Sequence, residues 1–325
     1  MAILLFLALN SIWVLIGLLT AIRRYKPLLS SFLLGSFLCL FASFLLAKRT
    51  GFLGALAGYT LGIILISLLI LFFIRREFSF SKWRLNREFP SYFRTFPSLI
   101  FIGLFYNCGV WIDKIIIWYT LGERIPGFSF RYFLPYDLPI YLAYLTMIPV
   151  LFYFTIGIEP DLLKTYQNLL ASIEKKPLIL IEQKKEEVKS LFRSGLRDAV
   201  HFQLIITLLF LILSELISKF LKWPVSIKTF RILLGAAFFQ ALTFFTINFL
   251  LYFDLRKDVL KIVSFFLFSN AFFTILTLNL KGQLGCGYLL SIFLSFLFSL
   301  YCILSRLQHI EYYIFTTSFR KEMKE

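Results

Sequence analysis

The sequence predicts an all-α protein, a polytopic integral membrane helical bundle of about nine spans. Three observations carry that prediction. Hydrophobic residues make up 59% of the 325-residue chain and the mean hydropathy is +0.81, more apolar surface than a soluble domain of this length could bury. Apolar runs of about 20 residues, enough for a helix to cross roughly 30 Å of hydrocarbon, recur from one end to the other. The charged residues, 16% of the total, are concentrated in the gaps between those runs. The runs are long and continuous, unlike the alternating segments of about ten residues that build an outer-membrane barrel.

In chain order the expected spans are 2–21, 28–47, 52–74, 97–121, 138–157, 200–221, 226–250, 259–279 and 284–304. The first, "MAILLFLALN", has no basic segment before it and no cleavage site, so it reads as a span and not as a signal peptide. Orientation follows from lysine and arginine. Of the 34 such residues, 24 lie in one set of alternate gaps and eight in the other, and cytoplasmic loops carry the excess. The richer set includes Arg23, Arg24 and Lys26, the cluster from Arg75 to Arg94, the segment from Lys164 to Arg197, and the tail from Arg306. The C-terminus is therefore expected in the cytoplasm and the N-terminus outside.

The net charge of +16 reflects this topology and not a nucleic-acid surface. Cys39, Cys108, Cys286 and Cys302 lie in apolar runs without a CxxC spacing, and His201 and His309 are isolated, so neither a disulfide framework nor a metal site is expected. There is no P-loop, no HExxH and no G-x-S-x-G. The longest outer loop, 122–137, offers only Glu123 and Asp137 as acids. The sequence thus argues against an enzyme and implies no cofactor. The glycines of "GQLGCG", Gly282 to Gly287, read as a turn and tight helix packing.

One long polar segment interrupts the pattern, between spans five and six at 158–197. Glu159-Pro160-Asp161 is a helix start signal, followed by Leu162, Tyr166, Leu169, Leu170 and Ile173 at helical spacing. After Pro177, Ile181, Val188, Leu191, Phe192 and Leu196 mark a second stripe. A pair of amphipathic helices is expected, lying on the membrane surface or under a partner. Tyr166, Leu169, Leu191, Phe192 and Arg193 are its candidate docking residues.

Span four poses the sharpest question. "YNCGVWIDKIIIWY" places Asp113 and Lys114 side by side at depth, where each charge costs about 2.5–3.5 kcal/mol on insertion scales. Adjacent residues point about 100° apart, so each is expected to need its own partner or water. Lys114 can snorkel toward Leu121 at the outer end. Asp113 is expected to face a hydrated cavity or a cation on another helix, with Arg231 of span seven as candidate; interhelical glue without a transport role is the alternative. Gln203, Gln240, Asn248 and Asn270 are polar residues in other spans that could line a path or join helices. Glu215 and Lys219 read as an ordinary i,i+4 pair. In the outer loop, Phe128, Phe130, Tyr132, Phe133, Tyr136 and Tyr141 fit either an interfacial aromatic belt or a platform for sugar rings.

These residues carry a resemblance. "YNCGVWIDKIIIWY", "LPYDLPIYLAYLTMIPVLFYFTIGIEPDLLKTYQ", "IEQKKEEVKSLFRSGL" and the tail "SRLQHIEYYIFTTSF" resemble the Pel exopolysaccharide transporter family, the PelG-type branch of the polysaccharide and oligosaccharide flippase superfamily. The resemblance is carried by 97–325; the first three spans fit through order and loop charge. It implies about twelve helices in two six-helix lobes, of which nine correspond to the last nine. Residues 1–96 would then be a partial N-terminal lobe and 97–325 the six-helix C-terminal lobe, with span four its first helix, bordering a central cavity. The resemblance therefore implies an N-terminally short chain: a fragment, a displaced start or half of a split pair. It also implies an inner-membrane transporter subunit exporting an amino-sugar polymer, with a cytoplasmic glycosyltransferase, other secretion subunits, the polysaccharide and the lipid bilayer as partners. Asn107, Trp111, Asp113, Lys114, Tyr136, Asp137 and Arg231 are the candidate transport-path residues. A flippase for another lipid-linked oligosaccharide and a non-transporting scaffold for a synthase are the alternatives.

Overall fold

The computed structural model describes residues 2–21, 25–77, 93–124, 130–175, 177–221 and 226–313. Arg23, Arg24, Phe128, Lys176, Lys222, part of the Arg75–Arg94 cluster and the tail beyond 313 lie outside them. The protein is an all-α polytopic membrane bundle: eight helices are long and apolar enough to cross a membrane, and the first, apolar over Ile3–Leu19, is shorter. The chain divides into two compact units, Met1–Arg87 and Glu88–Glu325.

The first unit contains α1 (Ala2–Ala21), α2 (Tyr25–Thr50) and α3 (Phe52–Glu77). Gly51 links α2 to α3 at φ +64°, a left-handed conformation that costs glycine nothing. The two helices then pack backbone to backbone through Gly54, Gly58 and Gly62, one turn apart on α3. A Cβ on Gly58 would lie 2.2 Å from the Ser43 nitrogen, and one on Gly62 would lie 2.7 Å from the Cys39 Cα. Close approach lets Ser43 Oγ donate to the Ala55 carbonyl at 3.0 Å. This is small-residue packing, suited to a solvent where apolar surface drives little association. Ile63, Ile66, Ile70 and Ile74 of α3 close a small core with Ala8, Ile12, Leu19 and Cys39.

The second unit contains α4 (Pro97–Thr120), a two-stranded hairpin of β1 (Glu123–Arg124) and β2 (Arg131–Tyr132), α5 (Leu134–Leu145), α6 (Ile148–Tyr153), a π-helical turn (Phe154–Ile158), α7 (Glu159–Lys175), α8 (Leu178–Leu221), α9 (Ile227–Tyr252), α10 (Arg256–Asn279) and α11 (Cys286–Gln308). The central helix is α9, packed on α11, α8 and α5; α10 packs on α4 and α11. Ser226 caps α9 by accepting from the Thr229 amide. Prolines segment span five: Pro149 sits in the first turn of α6, where its missing N–H group matters least, and Pro160 follows directly on the π turn.

Two expectations about the segment 158–197 change. Its second amphipathic helix is the first half of α8, a single helix of 44 residues, about 66 Å long at 1.5 Å per residue. The first, α7, continues directly from the π turn. The pair therefore does not lie apart as surface helices; it is an antiparallel extension of two spans. Leu162, Leu169, Val188 and Phe192 are buried in its seam, and Phe192 stacks edge-on against Phe249 of α9 at 4.9 Å. Leu169 and Phe192 thus pack the chain on itself, because the two stripes face each other. Tyr166 is half-buried and meets Phe253 at 5.4 Å. Leu191 is half-buried and Arg193 is exposed.

A candidate functional site in the second unit

The site is assembled by α4. Gly109 allows α4 to press on α10: a Cβ there would lie 2.6 Å from the Phe266 ring. That approach brings Asn270 of α10 to the Gly109 carbonyl at 2.8 Å and to Asp113 Oδ1 at 3.4 Å. One turn beyond Gly109, Asp113 is 0% exposed. Its Oδ2 accepts from the Tyr136 hydroxyl of α5 at 2.5 Å.

Lys114 is 6% exposed and does not snorkel outward. Its stem curls back toward the start of α4, and Nζ donates to the Val110 carbonyl at 2.6 Å, to the Tyr144 hydroxyl at 3.2 Å and to Asp113 Oδ1 at 3.4 Å. All three ammonium donors are used. The neighbours therefore do pair. Divergence of about 100° separates their Cβ atoms, but four methylenes let the ammonium return to the carboxylate. The rings of Tyr144 and Tyr288 lie 5.1 and 5.5 Å from the ammonium, with Trp111 at 5.8 Å, within cation–π range.

From Tyr144 the network runs on through hydroxyls and an amide. Tyr144 donates to Tyr288 of α11 at 3.0 Å, Tyr288 to Gln240 Oε1 of α9 at 3.2 Å, and Gln240 Nε2 to Tyr106 of α4 at 2.6 Å. Five helices are thus joined by one buried, fully partnered set of polar groups. Such sets specify a single arrangement strongly, since any half-broken state leaves a desolvated polar group unpaired. A cavity of about 10 Å³, bordered by Ile117, Tyr136, Thr274 and Tyr288, touches the network; it has room for about one water. Asp113 is buried among protein donors: the Tyr136 hydroxyl, the Asn270 amide and the Lys114 ammonium all reach its carboxylate.

The other candidates separate. Arg231 is not the partner of Asp113; it donates to Ser214 Oγ at 3.0 Å and pairs with Glu215 at 3.1 Å. This also takes Glu215 away from the expected Lys219. Asp137 stands beside the site. It accepts from the Trp118 indole at 2.8 and 3.0 Å and from the Phe133 amide at 2.8 Å, fixing the start of α5. Trp111 borders the site and is 49% exposed, while Asn107 lies on the exposed stripe of α4 and bonds its own helix at Gly103. Of the aromatic loop residues, Tyr136 turns inward, whereas Phe130 and Tyr141 are 72% and 60% exposed. Tyr144 and Tyr288 were not anticipated. Tyr144 follows Tyr136 by eight residues, a spacing that keeps both on one helix face. Among the described residues no three His, Cys, Asp or Glu side chains group to hold a metal.

A polytopic helical bundle whose second unit ties five spans together through a buried ion pair and its polar network defines an integral membrane protein. The sequence profile of the PelG family, described as "Putative exopolysaccharide Exporter (EPS-E)", matches residues 1–315, and the chain belongs to that family. The match takes in the first three helices as well as the second unit. No curated protein and no solved structure matches the chain.

Proposed function

We propose that the chain exports a Pel-like amino-sugar polymer across the inner membrane, with its C-terminus in the cytoplasm. In this reading the Asp113–Lys114–Tyr136 network is the latch that holds the second unit in one of two conformations. The observation that carries it is the sealed carboxylate joined by hydrogen bonds to five spans. Intramembrane charges are expensive and mark transport pathways and their moving parts, and polymer passage requires helices to shift between discrete arrangements. When the latch opens, a carboxylate, an ammonium and tyrosine and tryptophan rings become available to a hydroxyl-rich, partly cationic chain.

The partner in this reading is a cytoplasmic glycosyltransferase that hands over the growing polymer, docked on the outward face of the α7–α8 hairpin. What supports docking is the reach of α8, which continues well past any membrane thickness. The same observation favours a second reading, a scaffold that anchors a synthase without transporting. Asp113→Asn separates them. The exporter reading expects polymer secretion, normalised to the amount of folded protein in the membrane, to be abolished with the glycosyltransferase still bound; normal secretion by that variant removes Asp113 from the mechanism. A scaffold would lose function only when 158–197 is replaced by a neutral linker.

A further inference from the structure

A second cavity, of about 270 Å³, lies between α8 and the end of α11. Its floor is Phe192 and Leu307, 1% and 3% exposed. Lys189, Arg193, Leu304 and Gln308 form its rim.

The cavity stands at the edge of the apolar belt. From His201 to Ile212 the exposed residues that follow on α8 are Phe202, Leu204, Ile205, Leu208, Leu209 and Ile212, whereas before His201 they include Glu187, Arg193 and Arg197. On α11 exposed Leu297, Tyr301 and Leu304 give way to Gln308 and His309. Leu304 therefore continues the apolar faces of α8 and α11 while Arg193 and Gln308 begin the polar ones, and all three line one cavity. Lys189 is bonded to Glu186 at 2.6 Å. That hydrogen bond, the largest influence on it, holds the Glu186 carboxyl below its ordinary range. Arg193 also acts on Glu186 from farther off, adding to the lowering of that carboxyl, but among the described residues it makes no ion pair, and its fork of donors remains open to a further anion.

An occupant must offer an anion to Arg193 and hydrocarbon to Leu304 and Phe192. We propose that the cavity binds the phosphate head group of an anionic phospholipid from the leaflet on this side, its acyl chains passing Leu304. Guanidinium matches phosphate with two parallel hydrogen bonds, and basic pockets between helices at this depth suit acidic head groups. Arg193 is thereby given to the lipid and not to the glycosyltransferase proposed above.

The test uses the full chain in nanodiscs of phosphatidylcholine containing a minority of phosphatidylglycerol, with native mass spectrometry counting retained phosphatidylglycerol. Retention should fall on the order of tenfold in the Lys189→Gln, Arg193→Gln double variant. It should stay unchanged in Arg197→Gln, an exposed cation one turn along α8, paired with Asp198 and outside the cavity. Excess glycerol phosphate and inorganic phosphate should not displace the lipid. Equal retention by the double variant overturns the site, and displacement by either soluble phosphate overturns the membrane source. A double variant that sheds the glycosyltransferase yet keeps its phosphatidylglycerol gives the surface to the protein partner instead.

Discussion

The hydroxyl of Tyr136 donates to the Asp113 carboxylate at 2.5 Å, joining the helix that opens the second unit to the one that follows its hairpin. The bond solvates a charge that oil would reject, and it ties the position of α5 to the carboxylate on α4. Removing one member of a buried ion pair leaves the other uncompensated and costs about 3–5 kcal/mol. Asp113→Asn should therefore lower the thermal midpoint of detergent-purified protein, and Asp113→Asn with Lys114→Gln should recover most of that loss. Secretion should recover in neither. A double variant that restores both stability and secretion would reduce the network to glue.

Tyr144 supports a finer distinction. Its hydroxyl receives the Lys114 ammonium and passes a hydrogen bond to Tyr288, so Tyr144→Phe deletes the link between the ion pair and α11 while keeping the ring. The expected cost is about 1–3 kcal/mol, the penalty for leaving partners unsatisfied. Tyr288→Phe should cost a similar amount and the double variant less than the sum, as coupled neighbours do. Additive losses in a denaturation cycle would mean that the hydroxyls do not act as one chain.

In the first unit, Gly58→Val would drive a branched side chain into the Ser43 backbone, 2.2 Å from where its Cβ must sit. Overpacking of this kind costs about 1–3 kcal/mol or more, and backbone atoms cannot step aside as a flexible side chain would. The α2–α3 pair should open and become sensitive to limited proteolysis, while the Asp113 site keeps its cleavage pattern. Gly17→Val, where nothing lies within 4 Å of the added Cβ, is the matched control.

Much of this architecture was legible in the residues. Eight of the nine apolar runs each correspond to one helix, because length and continuity suffice when the solvent is hydrocarbon; the fifth is divided among α5, α6 and the π-helical turn. The run Tyr106 to Lys114 carries the buried pair, and Gly109 within it lets α10 come close enough for Asn270 to bond its carbonyl. The fusion of α8 was missed because hydropathy changes sharply at His201, although no proline breaks the helix between Leu178 and Leu221. Depth alone directs Lys114 toward Leu121. Three acceptors lay nearer than water, and Tyr144 and Tyr288 are aromatic residues that composition cannot distinguish from an interfacial belt. Arg231 was matched to Asp113 by depth, but its position on α9 points it at Ser214 and Glu215 of the helix before.

At the end of the bundle bearing the hairpin, Arg306 of α11 grips Asp258 in the first turn of α10 with both arms, at 2.6 and 2.9 Å. Asp258 is 5% exposed and sits where the helix dipole favours an acid, so the pair ties the beginning of α10 to the end of α11. Arg306→Lys keeps the charge and loses the planar fork, which is not a conservative change at a two-pronged site. It should destabilise the second unit by about 1.5–3 kcal/mol, the range for hydrogen bonds to charged groups, and Arg306→Gln by at least as much. Lys261, which also approaches Asp258, at 3.7 Å, has a side chain 65% exposed, so Lys261→Gln should change stability by no more than about 0.5 kcal/mol. A lysine at 306 that melts with the wild type would make this an ordinary charge contact, and the attachment of α11 to α10 would then rest on the seam of Ser269 and Ser291, bonded at 2.7 Å, where Ser291→Val should take over the larger loss.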